Sequence, residues 1–217
     1  MLDFAAFDAL TFDCYGTLID WETGITDALT PIVPETDGLL ERFAGHEAEL
    51  EAGEYRRYAE VLEQCALRLG AAPDDARTFG RSVREWPAFP DSAEALRALQ
   101  GRFKLGVITN CDDDLFAASQ AKLGVDFDWV ITAEQAHGYK PRPENFELAF
   151  ERIDVPRKRI LHVAQSLFHD HVPAKRLGMS TVWVDRRGGR AGGATPPAQA
   201  TPDLTVPDLR TLATMIS

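Results

Sequence analysis

The chain has 217 residues, 45% of them apolar, and 23 Lys and Arg against 34 Asp and Glu give a formal charge of -11. It is long enough for one large domain, or for a domain with a sizeable insertion, and its acidity argues against nucleic acid or an anionic membrane as a whole-molecule partner. Cys14, Cys65 and Cys111 are too scattered for a disulfide framework, no apolar run nears the ~20 residues of a membrane span, and the acidic start MLDFAAFDALTFD lacks a basic leader, so a soluble cytoplasmic protein is expected.

The first element, FDALTFDC, reads as a short buried strand closed by a Tyr-Gly turn. From about residue 20 to 85 the spacing is helical throughout, in GITDALTPIV, in GLLERFAGHEAELEAGEYRRYAEVLEQCALRLG and in PDDARTFGRSVRE, with no strand candidate. This is a helical insertion after the first strand, and Pro87 and Pro90 in WPAFPD mark the hinge where the chain returns. The strands FKLGVIT, FDWVIT, RILHVA and STVWVD then alternate with the helical patterns SAEALRALQ, LFAASQAKLG and NFELAFERI. Such alternation specifies a parallel sheet covered by helices on both faces, with Phe12, Val107, Ile108, Val130, Ile160, Val163 and Val182 in its core. RRGGRAGGATPPAQAT, residues 186–201, reads as a mobile surface loop before a last strand and helix.

In an open parallel sheet, working residues gather at the carboxyl ends of the strands. Strand one delivers Asp13, followed by Tyr15, Gly16 and Thr17; strand two delivers Thr109 and Asn110; the loop after the third delivers Lys140; the fourth delivers Gln165, Ser166 and Asp170. A carboxylate at the tip of a buried strand needs partners that keep it ionised. His169 and His171 bracket Asp170, but two histidines two apart on a helix face different ways, which argues against a metal site there.

The stretches DCYGTLID, VITNCD, YKPRPENF and VAQSLFHDHVPAKRLGM, taken in order, resemble the four successive motifs of the haloacid dehalogenase superfamily. The resemblance implies an α/β fold, a doubly wound, Rossmann-like parallel sheet from residues 1–19 and 87–217 with a helical cap domain over 20–86. It implies that Asp13 is a nucleophile forming an aspartyl ester, with Thr109 and Lys140 positioning it. Most of that superfamily are magnesium phosphatases with an aspartate where this chain has Tyr15 and another where it has Gln165. The Asp-x-Tyr-Gly-Thr form is instead that of the L-2-haloacid dehalogenases, which use no metal or other cofactor. A halide leaves as a stable anion and needs no proton, so a tyrosine at that position costs the chemistry nothing.

The expected activity is therefore hydrolysis of a small 2-haloalkanoic acid to the 2-hydroxy acid. Asp13 attacks the carbon, water opens the ester, Asp170 orients Lys140 and assists that water, and Thr17, Asn110 and amides near Gly16 hold the oxyanion. Ser166 either bonds to Asp13 or Lys140, or caps the following helix. Tyr15 and Trp21 are candidate pocket walls. The resemblance also implies a cap arginine for the substrate carboxylate and halide, but that position falls near His46, with Arg42 one turn earlier, and the asparagine of the fourth motif falls at Leu167. The remaining readings are a magnesium-dependent phosphatase, a hydrolase of a strained-ring amino acid, and a non-catalytic binder. The expected partner is a small carboxylate, handled by a monomer or homodimer.

Overall fold

The structure, a computed structural model, describes residues 2–190 and 193–216. Six strands, β1 Ala9–Phe12, β2 Lys104–Thr109, β3 Trp129–Thr132, β4 Ile160–Ala164, β5 Ser180–Val184 and β6 Leu204–Val206, form one parallel sheet in the order β3-β2-β1-β4-β5-β6. The helices are α1 Trp21–Leu29, α2 Leu39–Glu51, α3 Tyr58–Arg68, α4 Pro73–Phe79, α5 Ser92–Gln100, α6 Asp113–Leu123, α7 Ala133–Ala136, α8 Glu144–Arg152, α9 Val172–Arg176 and α10 Leu209–Ile216. Among the described residues no helix is long and apolar enough to cross a membrane.

The strands alternate their side chains between two separate cores. Leu10, Phe12, Leu105, Val107 and Val163 face α5, α6 and α10, while Ala9, Ile108, Ile131 and Ile160 face Phe146 and Ala149 of α8 and Ala174 of α9. Helices therefore cover both faces, as the alternation of elements requires. Val130 is only half-buried because β3 is an edge strand.

The strand order reverses at β1, which pairs with β2 on one side and β4 on the other. Crevices in doubly wound sheets open at such a reversal, beyond the carboxyl ends of the strands, and Asp13 is the residue that follows β1. Gly16 then turns the chain outward at φ 91°, where a Cβ would lie 2.9 Å from the Trp21 indole nitrogen.

Helices α1 to α4 lie between β1 and β2 in the chain and share the larger apolar core through Ile25, Phe43, Val61, Leu62 and Phe79. The long helical pattern after residue 38 is two helices, because the chain leaves the helix at Ala52 and re-enters at Tyr58. The first residue before α3, Arg57, caps nothing with its side chain. Instead Asp112, at the end of β2's loop, accepts the N–H groups of Tyr58 at 2.9 Å and Ala59 at 3.0 Å. A carboxylate of the sheet thus caps a helix of the insertion and fastens one to the other.

The segment 186–201 holds no helix or strand among its described residues, and residues 191–192 of that expected mobile loop lie outside the described ones. Its start is tied down. Arg186 donates to Asp91 at 2.8 Å and to the Thr17 carbonyl at 2.8 Å, and Asp91 in turn accepts the Leu209 N–H at the head of α10.

Candidate active site

Lys140 is the centre of the site. Its side chain is 1% exposed, and its ammonium donates all three protons, to Asp13 Oδ1 at 2.9 Å, Asp170 Oδ1 at 2.7 Å and the Ile108 carbonyl at 2.7 Å. Asn110 fixes the lysine's backbone by accepting its N–H at 2.7 Å and donating to its carbonyl at 2.9 Å. The other oxygen of Asp13 accepts the Thr17 hydroxyl at 2.7 Å, and Thr17 accepts the Gln165 N–H.

Behind Asp170 the network continues into the sheet. His162 Nε2 lies 3.0 Å from Asp170 Oδ1, and its Nδ1 lies 3.0 Å from the Thr11 hydroxyl. With the proton on Nε2, the ring donates to Asp170 and accepts from Thr11.

The two carboxylates that share Lys140 are driven apart in acidity. Burial is the largest influence on Asp13 and lifts its pKa above the ordinary carboxylate value, against the pull of Lys140 and Thr17. Burial also acts on Asp170, but Lys140 and His162 outweigh it and hold that carboxyl below the usual range. For Lys140 itself, burial disfavours the charge and the two carboxylates more than restore it. The more basic member, Asp13, suits a nucleophile, and the less basic Asp170 suits an orienting anion.

The crevice in front of this triad is a cavity of about 20 Å³ lined by Asp13, Tyr15, Trp21, Asn110, Lys140, Ser166, His169, Asp170 and Thr195. Its remaining wall comes from the insertion, as Glu47 and Glu51 of α2 and Tyr58 of α3. The space is that of about one water molecule, so the insertion is closed over the site.

The haloacid dehalogenase-like hydrolase family matches residues 7–168. The chain belongs to that family. Haloacetate dehalogenase H-2 of Moraxella sp. (strain B) is 26% identical over 97% of this chain and 98% of that protein. A phosphoserine phosphatase of Thermus thermophilus is 30% identical over 73% of this chain and 64% of that protein. The solved L-2-haloacid dehalogenase of Xanthobacter autotrophicus superposes with a TM-score of 0.82 at 23% identity, over 97% of this chain and 98% of that one, and shares the fold.

Within this dehalogenase-like frame, Asp13, Lys140, Asp170, Thr17 and Asn110 converge, and Tyr15 and Trp21 line the cavity. Tyr15 turns its hydroxyl away, to Ser119 Oγ at 3.0 Å and Cys111 Sγ at 3.3 Å. Two expectations need correction, and the open reading of Ser166 is decided. Arg42 donates to the Glu35 carbonyl, and neither it nor His46 lines the cavity, because α2 turns a different face inward. The Thr109 hydroxyl, though buried, bonds to neither Asp13 nor Lys140 and has no partner among the described residues. Ser166 lines the cavity, but its hydroxyl accepts the His169 N–H at 2.8 Å as the cap of a π-helical turn over Leu167–His171, and touches neither Asp13 nor Lys140.

Sequence reasoning missed Glu47, Glu51 and Thr195 at the site, and His162 behind it. Burial pushes Glu47 up to about 8, against a 2.7 Å hydrogen bond from the Tyr58 hydroxyl. Burial and then the neighbouring Glu47 push Glu51 well above the carboxylate range. Burial lowers His169 to about 4, so its ring is neutral at pH 7. His171 points elsewhere, to the Ala164 carbonyl, and the two histidines do not converge.

Proposed function

We propose that this chain hydrolyses a small 2-haloalkanoic acid through an ester on Asp13, without a metal ion in the step. The observation that carries the reading is the shared ammonium of Lys140, which leaves Asp13 the more basic of two buried carboxylates at the mouth of a narrow crevice. An Asp13 oxygen forms the new bond to carbon as the carbon–halogen bond breaks, and halide departs with the bonding pair. Water then adds to the Asp13 carbonyl carbon. One water proton ends on the departing 2-hydroxy acid and the other passes to solvent, which returns Asp13 as a carboxylate.

Lys140 and Thr17, which hold the Asp13 oxygens, stabilise the oxyanion of that second step. Asp170 Oδ2 is buried with no partner among the described residues and offers the acceptor that orients the water. Helices α2 and α3 act as a cap over residues 20–86, lifting to admit substrate and closing to exclude solvent.

Tyr15 and Gln165 support the metal-free form of this chemistry, since neither supplies the anionic ligand or the acid that phosphoryl transfer uses. The phosphatase among the relatives favours a second reading, phosphomonoester hydrolysis with magnesium.

A single turnover with L-2-chloropropionate in 18O water, with excess chelator, should release chloride and leave one label on Asp13. Label confined to the product would mean direct attack by water. Absent chloride release combined with magnesium-dependent phosphate release from phosphoserine would select the second reading.

A further inference from the structure

We infer that the substrate carries an ammonium group, received by Glu47 and Glu51 of α2, so that the enzyme acts on an amino-substituted halo acid in preference to a simple haloalkanoate. The inference rests on the displacement reaction proposed above and specifies its substrate.

The argument is one of charge. Four carboxyl groups, Asp13, Asp170, Glu47 and Glu51, line one cavity with a single ammonium, Lys140, whose three protons are all engaged on the sheet side. Glu47 and Glu51 are 3% and 7% exposed and lie on one face of α2, four residues apart. Like charges at that spacing repel, and buried carboxyls without a counter-charge are costly. Glu47 receives the Tyr58 hydroxyl, and Glu51 receives a 3.4 Å contact from Asn110 together with the pull of the Lys140 and Arg142 charges, which burial outweighs. His169 Nε2 stands 3.9 Å from Glu51, beyond hydrogen-bond reach, and is neutral at pH 7.

A second observation points into the same space. Asp170 Oδ2, in a side chain with no exposure at all, has no hydrogen-bond partner among the described residues and belongs to a residue that lines the cavity. A ligand that brought only a carboxylate would offer the two glutamates no counter-charge. One that brought an ammonium would satisfy the two glutamates, which burial otherwise drives to take up protons.

The test uses two substrates that differ by one ammonium, 3-amino-2-chloropropionate and 2-chloropropionate, with chloride release as the readout. The wild-type kcat/KM should favour the amino compound by about tenfold or more, and Glu47→Gln and Glu51→Gln should each reduce that ratio by about ten- to a hundredfold. Gln at position 47 still accepts the Tyr58 hydroxyl, so folding is preserved. Calorimetry adds a readout independent of turnover: 3-amino-2-hydroxypropionate should bind the wild type at least about tenfold more tightly than lactate. Equal handling of the two chloro acids, with the ratio unmoved in both variants, overturns the inference and leaves the displacement reaction standing. Chloride release from neither overturns the reaction, and the calorimetric comparison then still decides for or against ammonium recognition.

Discussion

The two walls of the crevice solve opposite problems. On the sheet side each carboxylate has a cation beside it. Asp13 and Asp170 share Lys140, Thr17 and His162 take further lone pairs, and the whole assembly is buried. On the insertion side Glu47 and Glu51 are equally buried, but their hydrogen bonds come from a phenol and an amide, and the Lys140 and Arg142 charges act on Glu51 without outweighing burial. The sheet side is tied together around Lys140 before any ligand arrives, with Asp170 Oδ2 left as its open acceptor, while the insertion side is built of carboxyl groups. A wall of that second kind is where specificity resides, because only a ligand can finish it.

Removing the ammonium should break the comparison most severely. Lys140→Met keeps the length of the side chain but leaves two buried carboxylates unpaired, so the sheet wall would come to resemble the insertion wall. Chloride release should fall by about a thousandfold or more as the oxyanion loses its cation. The unfolding free energy should fall by about 3 to 5 kcal/mol, read from the denaturant midpoint. A variant that kept its stability would show that Lys140 does not hold the two aspartates as the geometry implies.

Sequence and structure agree most closely where function is carried by contiguous segments at strand ends. Asp13 with Thr17, Asn110 and Lys140 each follow a β-strand pattern or its loop, and a parallel sheet brings such ends together whatever the helices do. The wall made by α2 was less legible because it depends on how a helix is rotated. Arg42 and His46 were the expected residues, yet Phe43, Glu47, Leu50 and Glu51 form the buried face. The signal was present: Glu47 and Glu51 fall in step with the apolar stripe of Leu39, Phe43 and Leu50. Asp112 had no such signal, since it caps a helix that begins 54 residues earlier in the chain. Thr195 reaches the cavity from a Gly- and Pro-rich segment whose start is clamped by Arg186, a tertiary contact with no periodicity to read.

The insertion wall can be sharpened without any substrate. Glu47 has a pKa of about 8 in the folded protein against an ordinary value of 4.5. A raised folded pKa means that the carboxyl's contribution to stability is complete below about pH 4.5 and is lost as the pH rises through about 8. Glutamine does not titrate, so Glu47→Gln should match the wild type near pH 5 and exceed it near pH 9. The gain there should be on the order of 2 to 4 kcal/mol, or roughly 5 °C or more in thermal unfolding. Parallel stability curves for the two proteins would mean that Glu47 has a counter-charge and that the two walls are alike.

The smallest effect is expected on the sheet wall, at Tyr15. Its ring lines the cavity, but its hydroxyl is held between Ser119 Oγ and Cys111 Sγ, and burial raises its pKa well above the phenol range. A group so placed cannot deliver a proton to a leaving group at neutral pH, and halide needs none. Tyr15→Phe should therefore cost about 1 kcal/mol of stability, the worth of one buried hydrogen bond, and leave kcat within about threefold. The ring contact with Trp86, at 5.8 Å and nearly perpendicular, is retained by phenylalanine, so packing does not confuse the result. A hundredfold loss of kcat at unchanged stability would instead identify Tyr15 as an acid. The sheet wall would then contain a proton donor, and a leaving group that departs as a strong base would replace halide in the mechanism.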